Sequence, residues 1–444
     1  MQRNFTRGKI TINILLFALP LMAGNLLQQM YNITDTWIVG HYLGSGTLGA
    51  VGSAYTLMVF LTSIILGLCM GGGAVVSMQY GENNMPKMRR SIFMSFMFIL
   101  AATLVLNAMV YIFDDFILYI LRVPDQIRQL MKDYLLVIYA GITATFLYNY
   151  CSAVLRAIGN SVTPLIFLAV SAVLNVFLDI YLVAVVGWGV KGAGIATVFS
   201  QFVSGVGILI YTLKKFPELV PQKEDRRWNK GEFAAVLNLS AMTCLQQSIM
   251  NFGILMVQGL VNSFGTAVMA AFAAAVKIDS FAYMPVQDFG NAFSTFVAQN
   301  YGADNKQRIN KGVVSAAVTS AVFCVIISTL VFIFAKPLMQ IFISPSETEV
   351  VNIGINYLRI EGSCYIGIGI LFLLYGYYRA VDKPLMSVIL TVLSLGTRVL
   401  LAYLLSAISF IGVTGIWLSV PIGWFLADMV GVLAYLYGQR KNKN

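Results

Sequence analysis

Twelve apolar stretches of about 20 residues or more follow one another along the 444-residue chain, and they constrain the fold more than any other feature. They lie at 12–40, 47–77, 91–113, 134–155, 162–185, 192–213, 238–262, 268–298, 312–335, 353–378, 385–408 and 414–438. Hydrocarbon offers a backbone no water to bond, so only helices or closed barrels can cross it. Runs that stay apolar instead of alternating read as helices. Composition agrees: 58% of residues are hydrophobic, 11% are charged, and the mean hydropathy is +0.79. A soluble domain carries about 25% charged residues. The expectation is an all-α integral membrane protein with twelve transmembrane helices. Cys69, Cys151, Cys244, Cys324 and Cys364 all fall in apolar stretches without disulfide or metal-ligand spacing, and read as small buried hydrophobes. The first run is too long for a cleavable signal peptide and lacks a small-residue cleavage site.

The net charge of +10 raises the question of a nucleic-acid partner, and its distribution argues against one. Alternate loops differ sharply in basic content. One side holds Arg3, Arg7, Lys9, Lys87, Arg89, Arg90, Arg156, six residues in the 214–230 linker, Lys306, Arg308, Lys311, Arg379, Lys383 and three in the C-terminal tail, 21 in all. The other side holds Arg122, Arg128, Lys132, Lys191 and Lys336. The positive-inside rule then places both termini in the cytoplasm of a cell-membrane protein, with the basic excess facing anionic lipid.

The linker "KKFPELVPQKEDRRWNKGE" is the most polar stretch and lies at the midpoint, which points to a duplication. "LLQQMYN" at 26 answers "CLQQSIM" at 244, and "QYGENN" at 79 answers "NYGADN" at 300. Arg156-Ala157 followed by Pro164 answers Arg379-Ala380 followed by Pro384, and "AGIA" at 193 answers "TGIW" at 414. The offsets, 218 to 223, keep the same order. Six spans doubled to twelve give two parallel, pseudo-symmetric six-helix lobes, expected at 1–213 and 234–444 with a linker at 214–233. Folds of this kind hold a substrate site between repeats and alternate its access.

Function is sought where the copies stop matching. Asp35 in span 1 maps onto Gly253. In span 5, Asn175 and Asp179 are four residues apart and share a helix face, while their counterparts are Arg398 and Ala402. Tyr31 precedes Asp35 by one turn, and Thr197 in span 6 adds a hydroxyl. A charge within a membrane helix costs roughly 2.5–3.5 kcal/mol on insertion scales, so two carboxylates confined to one half call for a function. Two carboxylates, an amide, a hydroxyl and a phenol suit Na⁺ or H⁺; the bland alternative is that the carboxylates glue helices together. Asp288, after the Pro285 break in span 8, either faces a cavity, where it would attract cationic substrates, or lines a helix end. Lys277 and Asp279 read as mutually neutralising neighbours, and Arg398 with Asp428 as a structural pair. His41, the one histidine, reads as a surface residue. Pro20 removes a backbone hydrogen bond within span 1 and is the candidate hinge.

No G-x-x-x-x-G-K-[ST] or H-E-x-x-H motif occurs, and one histidine leaves little room for Ser/His or Cys/His nucleophilic chemistry. A membrane aspartyl enzyme lacks any supporting motif. The chain is expected not to be an enzyme and to have no cofactor, so transport would run on an ion gradient.

Two six-span halves, "LPLMAGNLLQQMYNITDTWIVGHYLGSGTLGAVG" near the start, the "GENN" and "GADN" loops and "LRAIGNSVTPLIF" before span 5 resemble the multidrug and toxic compound extrusion (MATE) family over essentially the whole chain. The resemblance, to the DinF-like branch of the MOP flippase superfamily, implies two lobes exporting organic cations and amphipathic drugs against H⁺ or Na⁺. It implies a coupling-ion site in the N-terminal lobe at Asp35, Asn175, Asp179 and Thr197, with Tyr31 beside it and Pro20 as the bending proline. It implies a substrate cavity drawing on Asn149, Asp288, Gln28 and Gln246. The NorM-like branch relies on acids in spans 7, 8 and 10; here span 7 offers Gln246 and Gln247 and the interior of span 10 reads as acid-free, which favours N-lobe coupling. The alternative within the superfamily is a lipid-linked precursor flippase. The expected partners are small cationic or amphipathic substrates and membrane lipids, no nucleic acid, and the expected state is a monomer.

Overall fold

The computed structural model describes residues 3–120, 123 and 125–441. Arg122 and Lys443, counted above among the basic residues, lie outside them. Regular structure among the described residues is entirely helical. The N-terminal half holds α1 (Ile10–Gly44), α2 (Gly46–Gly81), α3 (Met85–Ile112), α4 (Asp125–Ala140), α5 (Ile142–Ala157), α6 (Val162–Val185) and α7 (Gly189–Lys215). The C-terminal half holds α8 (Lys230–Asn262), α9 (Thr266–Gly302), α10 (Lys306–Met339), α11 (Thr348–Gly362), α12 (Tyr365–Ala380), α13 (Pro384–Ser406) and α14 (Val413–Lys441). Ten of these are long and apolar enough to cross a bilayer. The pairs α4–α5 and α11–α12, bent by 44° and 51°, bring the number of spans to twelve when each pair is one span.

The duplication is written into the backbone. Gly44 (φ 83°) breaks the helix between α1 and α2, and Gly265 (φ 97°) does the same between α8 and α9; only glycine adopts this conformation without strain from a Cβ. In the two tight turns "GENN" and "GADN", Asn83 (φ 58°) and Asp304 (φ 49°) take the left-handed conformation that Asn and Asp tolerate. The next residue caps the following helix in both copies: Asn84 Oδ1 accepts from Lys87 N at 3.2 Å, and Asn305 Oδ1 from Arg308 N at 3.1 Å.

The chain divides into two compact units, Met1–Asn4 with Leu19–Cys244, and Phe5–Ala18 with Leu245–Asn444. These differ from the expected lobes in where the chain changes unit: within α1, next to Pro20, and within α8. Each unit therefore holds a segment that leads into the other half. In the second unit Phe5 N donates to Gln299 Oε1 at 3.0 Å, while Asn300 Nδ2 and Arg308 Nε donate to Phe5 O at 3.1 and 2.9 Å. Arg308 also donates to Arg7 O and Gly8 O, 2.8 Å each. In the first unit Arg89 Nε meets Asp225 Oδ2 at 2.6 Å, and Arg90 bonds Glu232 through two nitrogens at 3.0 and 2.7 Å. There α8 packs on α2 backbone to backbone: a Cβ at Gly67 would lie 2.5 Å from Cys244 Cα, so only a residue without one fits.

The core of the first unit gathers Ile138, Tyr139, Phe146, Leu155 and Ile158. That of the second centres on stacked rings: Phe272 on Trp417 at 5.5 Å and Tyr357 edge-on to Trp417 at 5.0 Å. The helices are inside-out relative to those of a soluble protein. On α6, Ile166, Val170, Val173 and Phe177 form one exposed stripe, Phe177 at 66%, while Ser171, Asn175 and Asp179 are buried on the opposite side. Lipid accepts the apolar stripe, and the polar stripe is turned inward because hydrocarbon cannot solvate it.

Candidate ion-coupling site

The first unit brings together five of the residues expected to act together. Asp179 is fully buried at the point where α6 passes into a π-helical turn, Ile180–Val185, a local rewinding that recurs at functional sites. Asn175, 2% exposed, donates from Nδ2 to Thr197 Oγ1 on α7 at 3.3 Å, and its side chain faces Asp179. Asp35 reaches across from α1 so that the two carboxyls lie against each other. Tyr31, one turn earlier on α1, faces Asp35, Asp179 and Thr197. Tyr134 on α4 closes the group, buried and facing Asp35, Tyr31 and Asp179. Sequence reasoning missed Tyr134; its only signal is a phenol at the edge of an apolar run.

The donor set is all oxygen, and four acceptors are unanswered. Asp35 Oδ1, Asn175 Oδ1 and both carboxylate oxygens of Asp179 are buried without a hydrogen-bond partner among the described residues. No Lys or Arg faces the two carboxyls among the described residues. A buried charge with unmet acceptors is costly unless something cationic answers it. Two carboxylates, an amide and a hydroxyl suit a proton or a hard cation such as Na⁺.

The second unit corrects three expectations. Lys277 does not neutralise Asp279: two residues apart on α9 they take different sides, Lys277 exposed and Asp279 buried beside Tyr365 and Arg398. Arg398 does not pair with Asp428, whose carboxylate oxygens are buried without a hydrogen-bond partner among the described residues; it faces Asp279 and Glu361. Nor is span 10 free of acid. Glu361, 2% exposed at the end of α11, accepts a hydrogen bond from Tyr357 Oη at 3.0 Å and lies against Asp279. So the second half does carry buried carboxylates, with the difference that a guanidinium is built in beside Asp279 and Glu361.

The expected cavity residues are divided. Gln28 is exposed and Asn149 half-buried in the first unit, Asn149 Nδ2 donating to Thr145 O at 2.9 Å. Gln246 and Asp288 are buried in the second unit. His41 is exposed, its ring stacked on Trp37 at 5.1 Å. The helix stays helical through Pro20, and within Ile10–Gly81 only Gly44 leaves helical dihedrals.

Residues 20–181 and 239–404 match the MatE family, once in each half. The chain belongs to the MatE family. This MatE protein is 30% identical to the probable multidrug resistance protein YpnP of Bacillus subtilis, over 99% of this chain and 97% of that one. It is 25% identical to the probable multidrug resistance protein NorM of Thermotoga maritima, over 97% and 93% of the two chains. Its fold matches the Vibrio cholerae MATE transporter VcmN solved in the bent form, with a TM-score of 0.89, 22% identity and 97% of each chain covered. Solved neighbours of this fold are MATE transporters of the MOP superfamily, so the MatE protein is a multi-pass membrane protein with the twelve-span, two-lobe MATE fold.

Proposed function

We propose that this MatE protein is a secondary active efflux antiporter of the DinF-like kind, exporting organic cations and amphipathic drugs in exchange for H⁺ or Na⁺. The observation that carries the reading is the Asp35–Asp179 pair in the first unit, with three buried oxygens unanswered and no basic residue facing it among the described residues. A pair lacking a resident cation has to take one from solution; Asp279 and Glu361, the facing pair of the second unit, already have Arg398 beside them. In this reading Asp35 binds the exchanged ion, Asp179, Asn175 and Thr197 complete its oxygen shell, and Tyr31 and Tyr134 enclose it.

Neutralising Asp35 changes what α1 gains by keeping its carboxyl against α6. Pro20 lies where α1 changes unit and lacks the N–H that would tie it to the preceding turn, so bending concentrates there. Bending of α1 on ion binding would reshape the first unit and expel substrate. Drug export fits the names of the two relatives above, both probable multidrug resistance proteins. Insertion in the cell membrane with both termini cytoplasmic fits the loop charges, and the protein is read as a monomer that needs no cofactor beyond the coupling ion.

The test is ethidium efflux from proteoliposomes with a pH gradient and a Na⁺ gradient imposed separately. Either gradient should drive efflux in wild type and neither in Asp35→Asn, and the effective gradient names the ion. An Asp35→Asn protein exporting at the wild-type rate would sink the reading. Failure of both gradients with passage of lipid-linked analogues would turn the assignment to a flippase.

A further inference from the structure

We propose that the linker between α7 and α8 is a docking surface for the headgroups of anionic phospholipids, with Trp228 as its interfacial anchor. Between 214 and 232 the chain carries six cations, Lys214, Lys215, Lys223, Arg226, Arg227 and Lys230, and four acids, Glu218, Glu224, Asp225 and Glu232. The fold does not leave these charges mixed. Asp225 is buried against Arg89, its Oδ2 also accepting Gln222 N at 3.1 Å, and Glu232 is held by Arg90. Two of the four acids are thereby turned inward and answered by arginines from outside the linker. All six cations are exposed, and none is in an ion pair among the described residues. The outer surface thus presents six cations against Glu218 and Glu224.

A second observation gives this surface an aromatic side chain suited to the edge of a bilayer. Trp228 is 60% exposed, yet its ring is held edge-on to Phe233 at 4.8 Å, and Phe233 packs edge-on to Phe98 of α3 at 5.9 Å. Asn229 Oδ1 accepts from Gly231 N and Glu232 N at 3.0 and 3.2 Å, capping α8 next to Trp228. An indole with a fixed base and a free face belongs at headgroup level. Four or more cations next to a membrane helix attract acidic lipid at about 1 kcal/mol each, roughly fivefold per charge. With membrane helices on both sides of the linker, the leaflet itself is the polyanion within reach, which favours lipid over a soluble polyanion.

The inference is independent of the coupling reading, and its test needs no transport. Wild type and Trp228→Phe are reconstituted in phosphatidylcholine vesicles carrying equal fractions of either brominated phosphatidylglycerol or brominated phosphatidylcholine. The difference in quenched fluorescence between the two proteins isolates Trp228. Brominated phosphatidylglycerol should quench Trp228 several-fold more than the choline lipid, the excess falling at high salt. Lys223→Gln/Arg226→Gln/Arg227→Gln, three exposed substitutions, should bring the two lipids to parity, while Lys336→Gln should not. Equal quenching by both lipids in wild type overturns the proposal, as does an excess that survives the triple substitution.

Discussion

Arg398 on α13 turns its guanidinium to Asp279 on α9 and Glu361 on α11, whereas Asp428 on the adjacent α14 is left without it. By the repeat, Arg398 occupies the register of Asn175. Two facing carboxylate pairs in a membrane protein are thus handled in opposite ways: Asp279 with Glu361 has a resident cation, and Asp35 with Asp179 does not. Each way leads to a different experimental outcome.

Removing the resident cation should be destabilising. Arg398→Gln leaves Asp279 and Glu361 facing each other uncompensated, a loss of about 3–5 kcal/mol for a broken buried charge set. Thermal unfolding in detergent should drop accordingly, and Glu361→Gln in the same chain should recover much of the loss. A single Arg398→Gln substitution with wild-type stability would show that the cluster is not charged as a unit.

The amide at 175 should tune ion affinity more than folding. Asn175→Ala removes the bond to Thr197, the amide that faces Asp179, and one buried oxygen without a hydrogen-bond partner among the described residues. Losing one hydrogen bond to a charged site costs about 1.5–3 kcal/mol, so the driving-ion concentration giving half-maximal efflux should rise about tenfold or more. The maximal rate at saturating ion should change less. An unchanged ion dependence would remove Asn175 from the coupling shell.

At Gly71 the backbones of α2 and α8 are in contact, a Cβ there falling 2.5 Å from Ser240 Cα. Gly71→Val should separate the helices and cost about 1–3 kcal/mol or more, read as a lower unfolding temperature and poorer yield. Gly52→Ala is the control: a Cβ there meets nothing within 4 Å, and stability should hold.

The linker clamp should be visible to a protease. Asp225→Asn weakens the contact with Arg89 at 2.6 Å and releases the segment that carries Lys223, Arg226 and Arg227. Limited trypsin digestion should cut the variant between α7 and α8 several-fold faster than wild type, because cleavage follows the open population. Equal rates would mean that the rest of the linker holds it without this pair.

Properties set by neighbours along the chain were legible in the sequence. Apolar length specified membrane helices, matching offsets revealed the duplication, and a four-residue separation put Asn175 beside Asp179 on one face, since helical periodicity is local. Which faces meet was decided by the tertiary structure. No periodicity tells α1 to bring Asp35 to Asp179, or α4 to add Tyr134, or Arg398 to choose Glu361 and Asp279 over Asp428. Glu361 stands inside the 353–378 run, one residue from the end of α11 where the chain bends by 51°, and its meeting with Asp279 is not legible in apolar length. The physical reason is one of range: a helix is fixed by contacts three or four residues apart, and a site by the crossing of helices tens of residues to more than a hundred apart.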